Sequence, residues 1–175
     1  TSKLVLAITQ GGAAVLPKLL ASPAAATMLL DAAVIQGQEA LNHYVGANIE
    51  SANCEDTARK LAVAAYHRGV RLLKDQRPPH SVGVACVYPA STPTITPQQV
   101  CFGGNALIAV HSADCTMIAS KSMGDHSSGS EPRGANQAAA DKEEHLLRFL
   151  LDALLRFGIS LPPELHPSPP DSTQT

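Results

Sequence analysis

Apolar residues fall along this chain in short continuous runs, separated by longer segments in which they recur every three or four positions. A continuous run predicts a strand covered on both faces, and the spaced segments predict helices that pack one face on a sheet. Strands are predicted at residues 4–8, 32–36, 81–88, 106–111 and 115–120. Because only a short Ser-Ala-Asp turn separates them, the last two strands are predicted to form an antiparallel hairpin.

Helices are predicted between these strands, at residues 13–20, 24–30, 38–45, 53–74 and 135–157. Pro17 lacks an amide hydrogen and clashes with the preceding turn, so the first helix should kink or begin late. Ser22 followed by Pro23 is typical of a capped helix start. Gly46 and Gly158 are suited to ending the helices that precede them.

The clearest helix covers residues 53–74, with Asn53 as its predicted N-cap. Acidic residues lie in its first turn and basic residues in its last, an arrangement that complements the helix dipole. Its apolar positions share one face, which is predicted to pack on the sheet. These positions are Ala58, Leu61, Ala62, Ala65, Gly69, Leu72 and Leu73.

The order of these elements predicts a single α/β domain over residues 1–160. Parallel strands joined by helical crossovers, with an antiparallel addition, give a three-layer α/β/α sandwich with a mixed, mostly parallel sheet of about five strands. Residues 122–134 are rich in serine and glycine and are predicted to be a mobile loop. Residues 161–175 contain five prolines and are predicted to be a disordered tail.

Composition narrows the classes of function. The 175 residues include 13 lysines and arginines against 15 aspartates and glutamates, without a basic cluster. Binding to nucleic acid or to a membrane surface is therefore disfavoured, and no apolar segment predicts a transmembrane helix or a signal peptide. These features predict a cytoplasmic protein. The first residue is Thr1 rather than methionine, which suggests a chain that was trimmed or cut from a longer protein.

The cysteines and histidines do not predict a metal site. The four cysteines include no Cys-x-x-Cys pair and are expected to be reduced thiols, with Cys86 buried and inert. The seven histidines show no spacing typical of zinc ligands. We therefore expect neither a metal nor a cofactor.

The first strand ends in Thr9, Gln10, Gly11 and Gly12, the segment that most suggests a ligand site. Two adjacent glycines let backbone amides approach a ligand closely, and a helix N-terminus that follows favours an anion. A tight turn without any ligand is the alternative interpretation of the same residues.

Four segments, taken in order, resemble the C-terminal domain of CinA, the competence-damage protein and nicotinamide mononucleotide amidohydrolase family. Residues 7–12 stand where the family has Glu-Ser-x-Thr-Gly-Gly, and residues 21–25 resemble its Val-Pro-Gly-Ser-Ser turn. Residues 53–58 resemble its Val-Ser-Glu-Glu-Thr-Ala helix start, and residues 81–85 resemble the strand that enters its Thr-Gly loop. The resemblance extends over about half of the chain.

The resemblance implies a three-layer α/β/α fold with a five-stranded mixed sheet, in agreement with the pattern of elements above. Active members of the family convert nicotinamide mononucleotide to nicotinic acid mononucleotide and ammonia. In them the serine of the first motif is thought to attack the carboxamide, helped by a tyrosine and a lysine that follow the second strand. A serine hydroxyl needs such help because it is too weakly acidic to attack alone.

This chain departs from the family's pattern at the reactive positions. With the glycines aligned, the serine falls on Ile8 and the glutamate on Ala7, and neither side chain has a nucleophilic or ionisable atom. Residues 34–41 occupy the tyrosine and lysine region but contain neither residue type. Residues 86–90 keep one proline of the Thr-Gly-x-Ala-Gly-Pro loop and lose its glycines. The groups that perform the family's reaction are thus replaced in this sequence.

Thr9 is the candidate for a substitute catalytic nucleophile. A shift of one residue along a strand turns the side chain to the opposite face, and no lysine or histidine lies nearby in the sequence to activate the hydroxyl. A threonine that hydrogen-bonds its own turn is the favoured interpretation.

Three hypotheses follow from these patterns. In the first, a CinA-like protein without amidohydrolase activity binds a nucleotide-like ligand, or a partner, through Thr9, Gln10, Gly11, Gly12, Gln36 and Tyr88. In the second, the protein still hydrolyses an amide of a pyridine nucleotide, with Thr9, Gln36 or Tyr88 as rewired groups. In the third, it is a structural homo-oligomer whose leucine-rich C-terminal helix pairs with that of another copy.

Overall fold

A computed structural model of the chain describes residues 2–74, 80–88, 105–123 and 135–165. Within these ranges the strands are β1 (Lys3–Gln10), β2 (Leu29–Ile35), β3 (Ser81–Tyr88), β4 (Asn105–His111) and β5 (Thr116–Ser122). The helices are α1 (Val15–Leu20), α2 (Pro23–Met28), α3 (Gln38–Val45), α4 (Glu55–Leu72) and α5 (Ala135–Arg156), with short 3-10 helices at Gly11–Ala14 and Pro163–Leu165.

The strands of the described ranges form one mixed sheet in the order β2-β1-β3-β4-β5. β1 pairs in parallel with β2 and β3, whereas β4 pairs antiparallel with both β3 and β5. Four of these strands therefore run in one direction and β4 runs against them. The predicted hairpin and the predicted mixed sheet are both confirmed, and the carboxyl ends of β1, β2 and β3 meet at one edge.

Helices cover both faces of the sheet, which confirms the predicted three-layer sandwich. We call one face the α5 face: there α1, α2 and α5 pack on Leu6, Ile8 and their neighbours. The other is the α4 face, where α3 and α4 pack on Val5, Ala7 and their neighbours. Alternate residues of a strand point to opposite faces, so strands buried on both sides are apolar at nearly every position.

The sequence predicts most helix and strand ends closely. The Ser22 hydroxyl accepts a hydrogen bond from the Ala25 amide at 3.4 Å, and α1 begins late, with Pro17 in its first turn. Gly46 and Gly158 end α3 and α5 with φ angles of 74° and 88°. The strand β2 begins three residues earlier than its prediction at residue 32, because Leu29 already pairs with β1.

Two predicted details of α4 are wrong. Cys54 rather than Asn53 is the N-cap, and its side chain makes no capping hydrogen bond. At the other end, Leu72 is 52% exposed and Leu73 is 6% exposed. Leu73 follows the buried Gly69 by four residues, one turn of helix, and so takes the core position that the prediction also gave to Leu72.

The predicted tail begins too early. Residues 161–165 belong to the folded domain, since the side chains of Leu161 and Leu165 are only 7% and 9% exposed and pack with α5. Burying the two leucine side chains lowers the free energy of the folded state, which holds this short segment on the domain. The remainder of the tail, 166–175, lies outside the described residues. The predicted mobile loop, 122–134, begins with Ser122, which is the last residue of β5, and its residues 124–134 also lie outside the described part of the chain.

The leucines of α5 pack inside the domain. Leu146, Leu150, Leu151 and Leu154 are each at most 5% exposed and form the centre of the core on the α5 face. These four leucines therefore pack on the chain's own sheet and helices, whereas Leu147 and Leu155 of the same helix are half-buried.

Candidate functional site

Most of the predicted site residues lie at the edge where the parallel strands end. Gln10 pairs with Tyr88 across β1 and β3, and the 3-10 helix Gly11–Ala14 follows directly. Gln36 comes immediately after Ile35, the last residue of β2, and its side chain is exposed. The alternation of side chains along a strand then divides this group between the two faces of the sheet.

Ile8 fills the position that the resemblance assigns to the catalytic serine. Its side chain is fully buried on the α5 face. A Cβ atom added to Gly12 would lie 2.9 Å from Cγ2 of Ile8 and 3.1 Å from Sγ of Cys86. Gly12 therefore lets the 3-10 helix rest directly on these two side chains, which gives the second glycine a packing role.

Cys86 is the other side chain beneath Gly12. It is fully buried, and burial raises the pKa of its thiol to about 12 because a thiolate loses its hydration in an apolar core. The thiolate is the nucleophilic form of cysteine, so this side chain stays protonated and unreactive at neutral pH. This agrees with the sequence-based expectation of an inert thiol.

Thr9 points to the opposite face from Ile8. It pairs with Ile35 on one side and Val87 on the other, both of which pack on the α4 face. The residue is 3% exposed, and its hydroxyl oxygen is buried with no hydrogen-bond partner among the described residues. The predicted hydrogen bond to its own turn is thus not found there, because the side chain points into the sheet–helix interface and not along the turn.

Replacing Thr9 by valine is expected to raise the free energy of unfolding by roughly 1–2 kcal/mol, because an unpaired buried hydroxyl costs about that much. Melting temperature measured by circular dichroism should rise by a few degrees. Thr57→Val is the matched control, since the buried Thr57 hydroxyl donates to the carbonyl of Ser51 and its loss should destabilise the protein. Equal destabilisation by both substitutions would contradict an unpaired Thr9 hydroxyl.

A row of side chains on the α5 face reaches across the end of the sheet. Val87 of β3 pairs with Leu107 of β4 in antiparallel register, so Tyr88 lies opposite Ala106. Ala106 in turn pairs with Lys121 of β5. Tyr88 and Lys121 are therefore two strand spacings apart, about 10 Å between Cα atoms. The Lys121 ammonium lies 5.9 Å from the centre of the Phe149 ring on α5.

Lys121 is a candidate site residue that the sequence pattern does not predict. The predicted strand ends at residue 120, whereas β5 continues through Lys121 to Ser122. The apolar run stops earlier because the end of this edge strand is exposed to solvent. The three residues Ser120, Lys121 and Ser122 carry no local signal for a strand, so the sequence offered no sign that β5 continues through them.

An apolar cavity lies away from this edge, between β1 and the helices of the α5 face. Its volume is about 20 Å³, which is close to the space that one water molecule needs. The lining is almost wholly leucine, including Leu19, Leu150, Leu161 and Leu165. A cavity of this size and lining is a packing defect of the core and is too small for a ligand.

The cysteines, possible metal ligands and possible membrane-spanning helices were also the subject of predictions. Cys54, Cys86 and Cys115 are free thiols, and Cys101 lies outside the described residues. Across residues 2–74, 80–88, 105–123 and 135–165, no three histidine, cysteine or acidic side chains are grouped so as to hold a metal ion. Over the same ranges, no helix has both the length and the apolar character needed to cross a bilayer.

Comparisons with known proteins find relatives by structure alone. No family model matches the sequence, and no curated protein is significantly similar to it. The crystal structure of a CinA superfamily protein from Escherichia coli has a TM-score of 0.59 and 18% identity, covering 89% of this chain and 80% of that one. The corresponding protein from Enterobacter cloacae has a TM-score of 0.59 and 17% identity over 91% and 83% of the two chains.

A third solved structure agrees with these two. The competence/damage inducible protein CihA from Agrobacterium tumefaciens has a TM-score of 0.58 and 17% identity, covering 88% of this chain and 86% of that one. The similarity thus spans nearly the whole domain, including the half in which the sequence motifs match weakly. This chain has the fold of the CinA superfamily structures.

Proposed function

We propose that this protein is a CinA-like binding protein that holds a phosphorylated, nucleotide-like ligand without hydrolysing it. The observation that carries the proposal is the burial of Ile8 beneath Gly12, at the position where the resemblance implies a nucleophilic serine. An aliphatic side chain there offers neither an attacking atom nor a proton to transfer.

Neighbouring groups do not replace the missing serine. The Thr9 hydroxyl is buried on the α4 face, on the other side of the sheet from Gly12. Cys86 is on the correct face but is buried beneath Gly12 as a neutral thiol. Amide hydrolysis needs a nucleophile with a base beside it, and these two side chains supply neither at the surface of the site.

Tyr88 and Lys121 supply what a phosphorylated ligand with an aromatic base needs. The tyrosine offers an aromatic ring for stacking, and the lysine offers an ammonium for a phosphate oxygen. Both lie on the α5 face at the end of the sheet: Tyr88 pairs with Gln10, the residue before Gly11, and Lys121 lies two strands beyond Tyr88. A nicotinamide mononucleotide-like ligand matches this combination.

Loss of catalysis is tested by incubating the protein with nicotinamide mononucleotide and measuring ammonia. We expect no release above a protein-free control. Ammonia released in proportion to protein concentration would overturn the proposal. If Thr9→Val abolished that release, the hypothesis of a rewired hydrolase would take its place.

Binding is tested by isothermal titration of nicotinamide mononucleotide. We expect Lys121→Ala to weaken binding about tenfold, since losing one charge-assisted contact costs roughly 1.4 kcal/mol. Lys74→Ala is the matched control, because Lys74 is an exposed lysine at the far end of α4 and should leave the affinity unchanged. Nicotinamide riboside, which lacks the phosphate, should bind to the wild type more weakly than the mononucleotide does. Its affinity should be the same for the wild type and for Lys121→Ala. Failure of the mononucleotide to bind at millimolar concentration would contradict the proposed ligand.

A further inference from the structure

The sheet has two edge strands, and they differ in how they are protected. β5 ends in Ser120, Lys121 and Ser122, all of them exposed. A lysine on an edge strand discourages pairing with another sheet, because its charge would have to leave water. β5 is therefore an edge that resists association.

β2, at the other edge, lacks this protection. It carries no lysine or arginine, and Val34 is 44% exposed, an unusual exposure for a valine in a strand. Its inner side pairs with β1, and its outer side has no strand partner among the described residues. An unpaired row of amide and carbonyl groups beside an exposed apolar side chain is a template for another strand.

Residues 31–35 are the part of β2 suited to such pairing. A bulge lies just before them: Leu4 pairs with Leu29 and Val5 with Asp31, so Leu30 is the extra residue. After the bulge the register with β1 is continuous to Ile35. Asp31 is the one charged residue of this stretch, and its carboxylate accepts a hydrogen bond from Arg68 of α4, which partly neutralises it.

We propose that a second copy of this chain occupies this edge, with the two β2 strands pairing antiparallel about a twofold axis at Ala33. In that register Ala32 lies opposite Val34 of the other copy, and Asp31 lies opposite Ile35. No two like charges face each other, and each Val34 becomes covered by the neighbouring copy. A strand that meets its own copy across a twofold axis must pair antiparallel, so the self-complementary sequence fits the geometry.

The dimer would join the two sheets into one. Five strands from each copy give a continuous sheet of ten, with the two copies of Lys121 far apart at its two ends. A contact centred on five-residue strands is small, so we expect a micromolar rather than a nanomolar dissociation constant.

Sedimentation equilibrium at roughly 100 µM protein tests the proposal, since a dimer of micromolar affinity is then largely assembled. We expect the wild type to be a dimer and Val34→Lys to be a monomer, because the new ammonium would enter the strand interface. Leu72→Lys is the matched control: Leu72 is similarly exposed, at 52%, but lies at the end of α4, so this variant should remain a dimer. Unchanged circular dichroism would establish that each variant is folded.

Other outcomes overturn the proposal. A monomeric wild type, or a Val34→Lys variant that still dimerises, would exclude β2 as the interface. Loss of the dimer on Leu72→Lys or Ile118→Lys would place the contact at α4 or at β5 instead. The measured quantity is molecular mass without any ligand, so the result is independent of whether nicotinamide mononucleotide binds.

Discussion

Replacing Gly83 by alanine is expected to lower the free energy of unfolding by roughly 3 kcal/mol, at the upper end of what overpacking a core costs. Gly83 lies in β3 on the α4 face, directly beneath α4. An added Cβ atom would lie 2.0 Å from the carbonyl oxygen of Ala62 and 2.3 Å from the amide nitrogen of Tyr66. Both atoms belong to the helix backbone, so the clash is relieved only when α4 moves away from the sheet.

Thermal unfolding followed by circular dichroism measures this effect, and the melting temperature should fall by about 6–12 °C. Gly69→Ala is the matched control from the facing helix. There the added Cβ would lie 1.9 Å from Oγ of Ser81, a side-chain atom that rotates or is removed by Ser81→Ala. The loss of stability from Gly69→Ala should therefore be smaller when Ser81→Ala is also present. The clash in Gly83→Ala is with backbone atoms, so no side-chain truncation relieves it. A neutral Gly83→Ala variant would contradict the close approach of α4 to β3.

The fold was predictable because its signals are local and repeated. β3 is apolar at almost every position, and the charged ends and apolar face of α4 identify a helix that packs on a sheet. Gly46 and Gly158 mark helix ends that need a positive φ angle. Each of these features is contained within a few consecutive residues, so the sequence alone specifies it.

The site was less predictable because it is assembled across strands. The alternation of side chains correctly indicated that Thr9 faces away from Ile8, but not that its hydroxyl lacks a partner. The row from Tyr88 through Ala106 to Lys121 depends on the register of the β4–β5 hairpin against β3, a strand that is separated from β4 by residues 89–104. A short turn fixes the register within a hairpin, but the register between strands that are not joined by a short turn depends on which faces pack in the core.

The fold and the chemistry of a site place different physical demands on a sequence. The sheet and its two layers depend on apolar side chains such as Leu6, Val84 and Leu150, and many sequences of similar volume satisfy that requirement. A catalytic site depends on a few atoms at fixed distances, so an aliphatic residue such as Ile8 at a reactive position is compatible with the fold whether or not a reaction is retained. This explains how identities of 17–18% accompany a shared architecture and leave the proposed function to be tested separately.

Replacing Ile8 by alanine is expected to destabilise the protein by roughly 2–5 kcal/mol, the range for truncating a buried isoleucine. Gly12→Ala alone should cost roughly 1–3 kcal/mol, because its Cβ would lie 2.9 Å from Ile8 Cγ2 inside a filled core. In the double variant the new Cβ occupies part of the space that Ile8 vacates. The two costs should therefore not add, with a favourable coupling of about 1 kcal/mol or more.

Urea unfolding of the four proteins in this cycle measures the coupling directly. Leu107→Ala with Gly12→Ala is the control pair, because Leu107 packs on the α4 face, away from Gly12, and its cost should simply add to that of Gly12→Ala. If the losses in free energy of unfolding from Ile8→Ala and Gly12→Ala were additive, the Ile8 side chain would not restrict the space at Gly12. Gly12 would then be free for the role that two adjacent glycines first suggested, a backbone surface held open for a ligand. Strong coupling would instead assign Gly12 to packing against Ile8 and leave Tyr88 and Lys121 as the groups proposed to hold the ligand.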